Sequence, residues 1–169
     1  MERLTGFDAT FLYSETPSVH MHTLKIAVLE GPDGDPFGLL RQELSRRLHL
    51  LPRFRQRVAD VPFLLHHPVW VDDPAFRIDR HLRRTTLEAP GGDRQMDNAI
   101  ARIASTALPR DQPLWEVWLL EGLAEGRVAY VAKIHHALAD GMASAELLAR
   151  VTNGAVTDES IWRGERVPT

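Results

Sequence analysis

Residues 114–142 read LWEVWLLEGLAEGRVAYVAKIHHALADGM, and the fold turns on how this stretch is read. Residues 114–121 and 127–135 are two apolar runs rich in β-branched and aromatic side chains, and the GLAEG between them has glycine at both ends. That spacing predicts two strands joined as a hairpin. In a strand, successive side chains point to opposite faces. Val128, Tyr130, Ala132, Ile134 and His136 then share one face, and Ala129, Val131, Lys133 and His135 share the other. Two histidines that diverge in this way do not chelate one metal ion, so the pair is not read as a metal site. Asp140 stands where it would cap a following helix or pair with an arginine, and Gly141 allows a sharp bend or a close approach. Two readings remain open on the residues alone. The pair is structural, or one ring is a general base with a carboxylate in support, since an imidazole titrating near ~6.5 suits proton abstraction at neutral pH.

Upstream, residues 23–29 (TLKIAVL) read as a strand ended by the turn residues of EGPDG. A helix follows, with Asp35 as N-cap, Pro36 as first helical residue and an apolar stripe through Phe37, Leu40, Leu44, Leu48 and Leu51, closed by Pro52. Residues 62–71 read as a strand broken by Pro68, with His66 and His67 on an edge or loop, and residues 76–87 as a second extended segment. Asp93 is expected to cap a helix carrying Met96, Ile100, Ile103, Ala104 and Ala107, stopped before Pro109. Residues 141–151 read as a last helix, and the chain turns polar and aperiodic beyond it. Strands interspersed with helices predict an α/β (α+β) two-layer sandwich, a mixed β-sheet with packed helices.

The 169 residues fit one domain, and 44% hydrophobic content is enough for a core. The net charge of −3, with lysine and arginine spread along the chain, argues against nucleic acid as a partner. Clusters such as Arg41, Arg46 and Arg47, or Arg77, Arg80, Arg83 and Arg84, read as solvated faces. The chain has no cysteine, which removes disulfides, thiolate zinc sites and a cysteine nucleophile. No secretory signal and no apolar run of membrane-spanning length is visible, so a cytoplasmic protein is expected.

The H-H-x-x-x-D-G spacing of His135, His136, Asp140 and Gly141 resembles the motif of the superfamily of chloramphenicol acetyltransferase, CoA-dependent acyltransferases and peptide-synthetase condensation domains. Four further blocks, LTGFDATFLYSETPSVHMH (residues 4–22), LPRFRQRV (51–58), WVDDPAFRIDRHLRR (70–84) and PLWEVWLLEGL (113–123), resemble bacterial wax ester synthase/diacylglycerol acyltransferases. The resemblance runs from about residue 4 to 151 and implies a chloramphenicol acetyltransferase-like half-domain over residues 1–152, with 153–169 as tail or linker to a C-terminal half beyond this chain. It implies acyl transfer from acyl-CoA to a long-chain alcohol or to diacylglycerol, directly and without a covalent acyl-enzyme, at a peripheral membrane or lipid-droplet surface. By the same resemblance His136 is the general base, His135 supports it, Asp140 orients the motif through an ion pair and Gly141 shapes its turn. No metal and no covalently bound cofactor is implied. Another condensation-superfamily acyltransferase with a polyketide or glycolipid acceptor, or a non-catalytic assembly module of the same fold, are the alternatives. One half of such an enzyme is expected to have little activity alone.

Overall fold

The structure is a computed structural model that describes residues 2–138. Asp140, Gly141, the helix expected over residues 141–151 and the boundary at 152 lie outside the described residues. In chain order the elements are β1 (Glu2–Arg3), α1 (Gly6–Ser14), β2 (His22–Glu30), α2 (Pro36–Arg47), β3 (Gln56–Ala59), β4 (Val69–Asp72), β5 (Leu82–Thr86), α3 (Asp93–Ala104), β6 (Trp115–Glu121) and β7 (Arg127–His135).

The hairpin forms as its spacing predicts. β6 and β7 pair antiparallel from Trp115 opposite Ile134 to Leu120 opposite Ala129. Gly122 and Gly126 both take positive φ, 76° and 69°, backbone that a β-carbon resists. β2 pairs antiparallel along the other edge of β7, and β5 joins β6 in parallel, giving a mixed four-stranded sheet of order β2-β7-β6-β5. A second, antiparallel sheet of order β1-β4-β3 has three short strands.

The alternation along β7 sorts the core. Val128, Tyr130, Ala132 and Ile134 pack with Leu12 of α1, Leu40 and Leu44 of α2, and Val58 and Trp70 of the smaller sheet. Ala129 and Val131 pack on the opposite side with Ala99 and Ile103 of α3. The mixed sheet with packed helices is the α+β architecture that the pattern predicts, with α3 covering the face opposite α1 and α2.

α2 also forms as read: Asp35 accepts the Phe37 N–H at 3.1 Å, Pro36 opens the helix, and Leu40, Leu44 and Leu48 are buried. Three local readings need correction. Residues 62–71 do not make one interrupted strand; a short 3-10 turn covers Pro62–Leu64 and only Val69–Asp72 is extended. Pro62 and Pro68 each lack the N–H that a ladder needs. Residues 76–87 likewise contain a 3-10 turn, Ile78–Arg80, before β5. Asp93 is the first residue of α3, and its N-cap is Gly92.

A helix the pattern does not announce is α1. Phe7, Ala9, Phe11, Leu12 and Tyr13 surround it with apolar side chains, yet only Ala9 and Leu12 are buried. Its start is marked instead by capping: Thr5 Oγ1 accepts the Asp8 N–H at 3.1 Å and donates to the Asp8 carboxylate at 2.7 Å.

Trp115 ties the four-stranded sheet to the 3-10 turn Pro52–Arg55 that leads into β3. Its indole N–H donates to the Phe54 carbonyl at 2.8 Å, and its ring stacks on His81 at 4.4 Å. His81, 1% exposed, lies between Trp115 and Phe76 and donates from Nδ1 to the Trp115 carbonyl at 2.8 Å. Burial holds its pKa below the ordinary value against that hydrogen bond. Because the folded pKa is depressed, the neutral ring stabilises the fold above the unfolded pKa, and that contribution is lost as pH falls through the folded one.

Two measurements test this packing. Leu44→Ala, at a site 1% exposed, should cost about 2–5 kcal/mol in urea unfolding. The stability lost on going from neutral to acidic pH should be smaller in His81→Leu than in the parent; an unchanged loss would show that His81 does not titrate on unfolding.

Candidate active site

The alternation of β7 continues into the histidine pair. His135 is the last residue of the strand, in register with His22 of β2, and is 1% exposed. His136 lies just past the strand end and is half-buried. Its ring stacks on Phe11 of α1, centroids 4.9 Å apart at 20°, and Phe11 meets the exposed Phe7 edge-on at 5.1 Å. One ring is thus enclosed in a polar interior and the other looks out beside an aromatic helix face. Among the described residues no group of three or more His, Asp or Glu is arranged to hold a metal ion.

His135 is neutral, and its tautomer follows from its neighbours. The Ala137 N–H donates to Nδ1 at 3.0 Å, so the ring proton sits on Nε2, 3.5 Å from the Glu15 carboxylate. Burial pulls the pKa down to about 4. Glu15 opposes that shift, whereas Arg110, His22 and His136 add to it.

Glu15 caps the C-terminal end of α1 and is held by two other groups. Oε2 takes an N–H from Arg110 at 2.5 Å, and Oε1 accepts the Met21 N–H at 3.2 Å. Burial raises its pKa, but the Arg110 and Met21 hydrogen bonds outweigh that and keep the carboxylate ionised below its usual range. Arg110 also donates to the Leu12 carbonyl at 3.2 Å, which ties it to α1.

Behind His135, on the same face of β7, Lys133 is fully buried. Its ammonium donates to the carbonyls of Ile103 (2.7 Å) and Thr106 and pairs with Glu116 at 3.2 Å. Burial lowers its pKa and Glu116 works against that. His22 reaches the Ala104 carbonyl at 2.9 Å and His20 the Ser105 carbonyl at 3.0 Å, so the open carbonyls at the end of α3 all find donors here.

The site is a wall. Two clefts between β5 and α3, of about 690 and about 300 Å³, are lined by residues such as Thr85 and Arg102 and include neither His135 nor His136. Leu114 and Trp115, both fully buried, pack in the core as their sequence suggests. Glu15, Met21, Phe11 and Arg110 are the neighbours that reading the sequence missed. No spacing links them to the pair; the T-x-x-D cap that opens α1 was the available signal.

Comparison with known proteins identifies the family. The sequence profile of the wax ester synthase/diacylglycerol acyltransferase catalytic domain matches residues 4–168. Two Mycobacterium tuberculosis H37Rv proteins with the provisional name diacylglycerol O-acyltransferase are 52% and 46% identical over 153 and 156 residues, 89% and 90% of this chain. The chain spans about a third of the length of these relatives, 33% of each. In structure it is similar to the wax ester synthase/diacylglycerol acyltransferase of Marinobacter aquaeolei VT8, with a TM-score of 0.76, 30% identity, and coverage of 89% of this chain and 36% of that one. A starter condensation domain of rhizomide synthetase, solved in complex with C8-CoA, shares the fold at a TM-score of 0.67 and 18% identity, over 89% of this chain and 34% of its own. With the profile matched along nearly all of its length, the chain belongs to the wax ester synthase/diacylglycerol acyltransferase catalytic-domain family.

Proposed function

We propose that this chain is the N-terminal portion of an acyl-CoA-dependent O-acyltransferase that moves a fatty acyl group to a long-chain alcohol or to diacylglycerol. The observation that carries this reading is the division of labour in the histidine pair. His135 is buried, neutral and committed to Ala137, while His136 stands half-exposed at the end of the central strand. His136 is the general base. The acceptor hydroxyl is far too weak an acid to ionise at neutral pH, so its proton passes to His136 as the oxygen attacks the thioester carbonyl. The C–S bond then breaks, the ester forms, and the proton leaves with the CoA thiol. Base assistance of this kind contributes ~10²–10⁴-fold, and alignment of the two substrates supplies much of the remainder.

Acyl-CoA as donor is supported by the C8-CoA complex of a protein with the same fold. The names of the curated relatives support a diacylglycerol acceptor. Asp140 and Gly141 keep their proposed roles in orienting and shaping the motif. The wall facing His136 is proposed to come from a C-terminal half, since this chain spans 33% of its relatives' length. Among the described residues no helix is long and apolar enough to cross a membrane, and we propose peripheral attachment to a membrane or lipid droplet.

Kinetics on the full polypeptide, with acyl-CoA and either acceptor, test the assignment. His136→Ala should lower kcat by about 10²–10⁴-fold. Retention of activity would remove His136 as the base. His135→Asn should cost less, and equal losses would show that the two rings do not have separate roles. Because His135 has a pKa of about 4, it does not titrate in the neutral range. His135→Asn should therefore leave the limbs of the pH–rate profile above pH ~5 in place, and a displaced limb would reassign the base.

A further inference from the structure

Two backbone N–H groups fix the conformation at His136: its own and that of Ala137. The His136 N–H donates to the Met21 carbonyl at 2.9 Å. The Ala137 N–H donates to Nδ1 of His135 at 3.0 Å. One oxygen of one side chain lies beside both of these acceptor residues. Oε1 of Glu15 accepts the Met21 N–H at 3.2 Å and faces Nε2 of His135 at 3.5 Å. The other carboxylate oxygen is occupied by Arg110 at 2.5 Å. Glu15 is largely buried, its side chain 9% exposed, so water competes little for these contacts. The helix that ends at Glu15 also carries Phe11, against which the His136 ring stacks.

From this convergence we propose that Glu15 is a positioning residue for the His136 base, acting through its hydrogen bond to Met21 and its electrostatic contact with the His135 ring. The proposal rests on the reading of His136 as the base. The charged and titratable groups facing Glu15 and the His135 ring are Arg110 from the segment after α3, Lys133 of β7, His22 from β2 and His136 itself. Arg110 neutralises Glu15 and anchors it to the Leu12 carbonyl, so the carboxylate acts through geometry and leaves little net charge at the base. Glu15 meets His136 only through other groups and is therefore not a catalytic residue.

A mispositioned base costs rate without weakening donor binding, and a displacement of about 1 Å is enough for up to ~10²-fold. In the full polypeptide, Glu15→Ala should lower kcat by about 10–100-fold and leave KM for acyl-CoA within about twofold. Glu15→Gln keeps an acceptor for the Met21 N–H and should recover most of the lost rate. Glu15→Asp, which keeps the charge but retracts it by one methylene, should not. Each variant is then combined with His136→Ala. A residue acting through His136 adds no further loss once that ring is gone. Additive losses in the double variants, or a Glu15→Gln variant as slow as Glu15→Ala, would overturn the proposal. If Glu15→Ala does not fold, Glu15→Asp carries the same cycle. Full activity of His136→Ala alone would instead overturn the base assignment, so the two failures are told apart.

Discussion

The structure depends on one constraint: β7 is paired on both edges and packed on both faces. β2 and β6 take its two rows of hydrogen bonds, and every residue from Val128 to His135 is buried. A strand so enclosed has no freedom of register, because a slip by one residue would exchange its entire apolar faces. The position of the histidine pair follows from that. His135 is the last residue the sheet can enclose, and His136 is the first beyond it. The proposed chemistry at the second histidine thus rests on the rigidity of the first.

Enclosure on both faces has an electrostatic consequence. The face of β7 toward α3 carries Ala129, Val131, Lys133 and His135, so the apolar core at one end passes into a polar interior at the other. The buried lysine is tolerated because its three N–H donors meet the Ile103 carbonyl of α3, the Thr106 carbonyl just beyond it and Glu116. His135 is tolerated by remaining neutral. The end of α3, with its exposed carbonyls, is the element that makes a cationic neighbour favourable there. Stability and site architecture therefore share the same groups: Lys133 holds α3 to the sheet, and α3 covers the strand that ends at the pair.

α1 connects this interior to the outward-facing ring. It is short, apolar all round and only partly buried, a poor candidate for a self-sufficient helix. Its place is secured by the Thr5 cap at one end and by Glu15 with Arg110 at the other. Between these ends it presents Phe11 to His136.

Much of this was legible in the residues. The hairpin, the divergence of His135 and His136, the capped α2 with its leucine stripe and the family motifs all follow from local rules: period two in strands, spacings of three and four in helices, and glycine where φ must be positive. The α1 helix, the short three-stranded sheet and the 3-10 turns were not legible, because their periodicity is too brief or too diffuse to stand above its surroundings. The neighbours of the pair were hidden for a different reason. Glu15, Met21 and Arg110 lie 120, 114 and 25 residues from His135 in the numbering, and nothing in their local spacing refers to it. The sequence by itself determined which two histidines diverge and which elements carry them. Only the tertiary structure decided that the Glu15 carboxylate lies beside Met21 and the His135 ring, because contacts across a folded interior depend on which surfaces meet, and local periodicity carries no information about that.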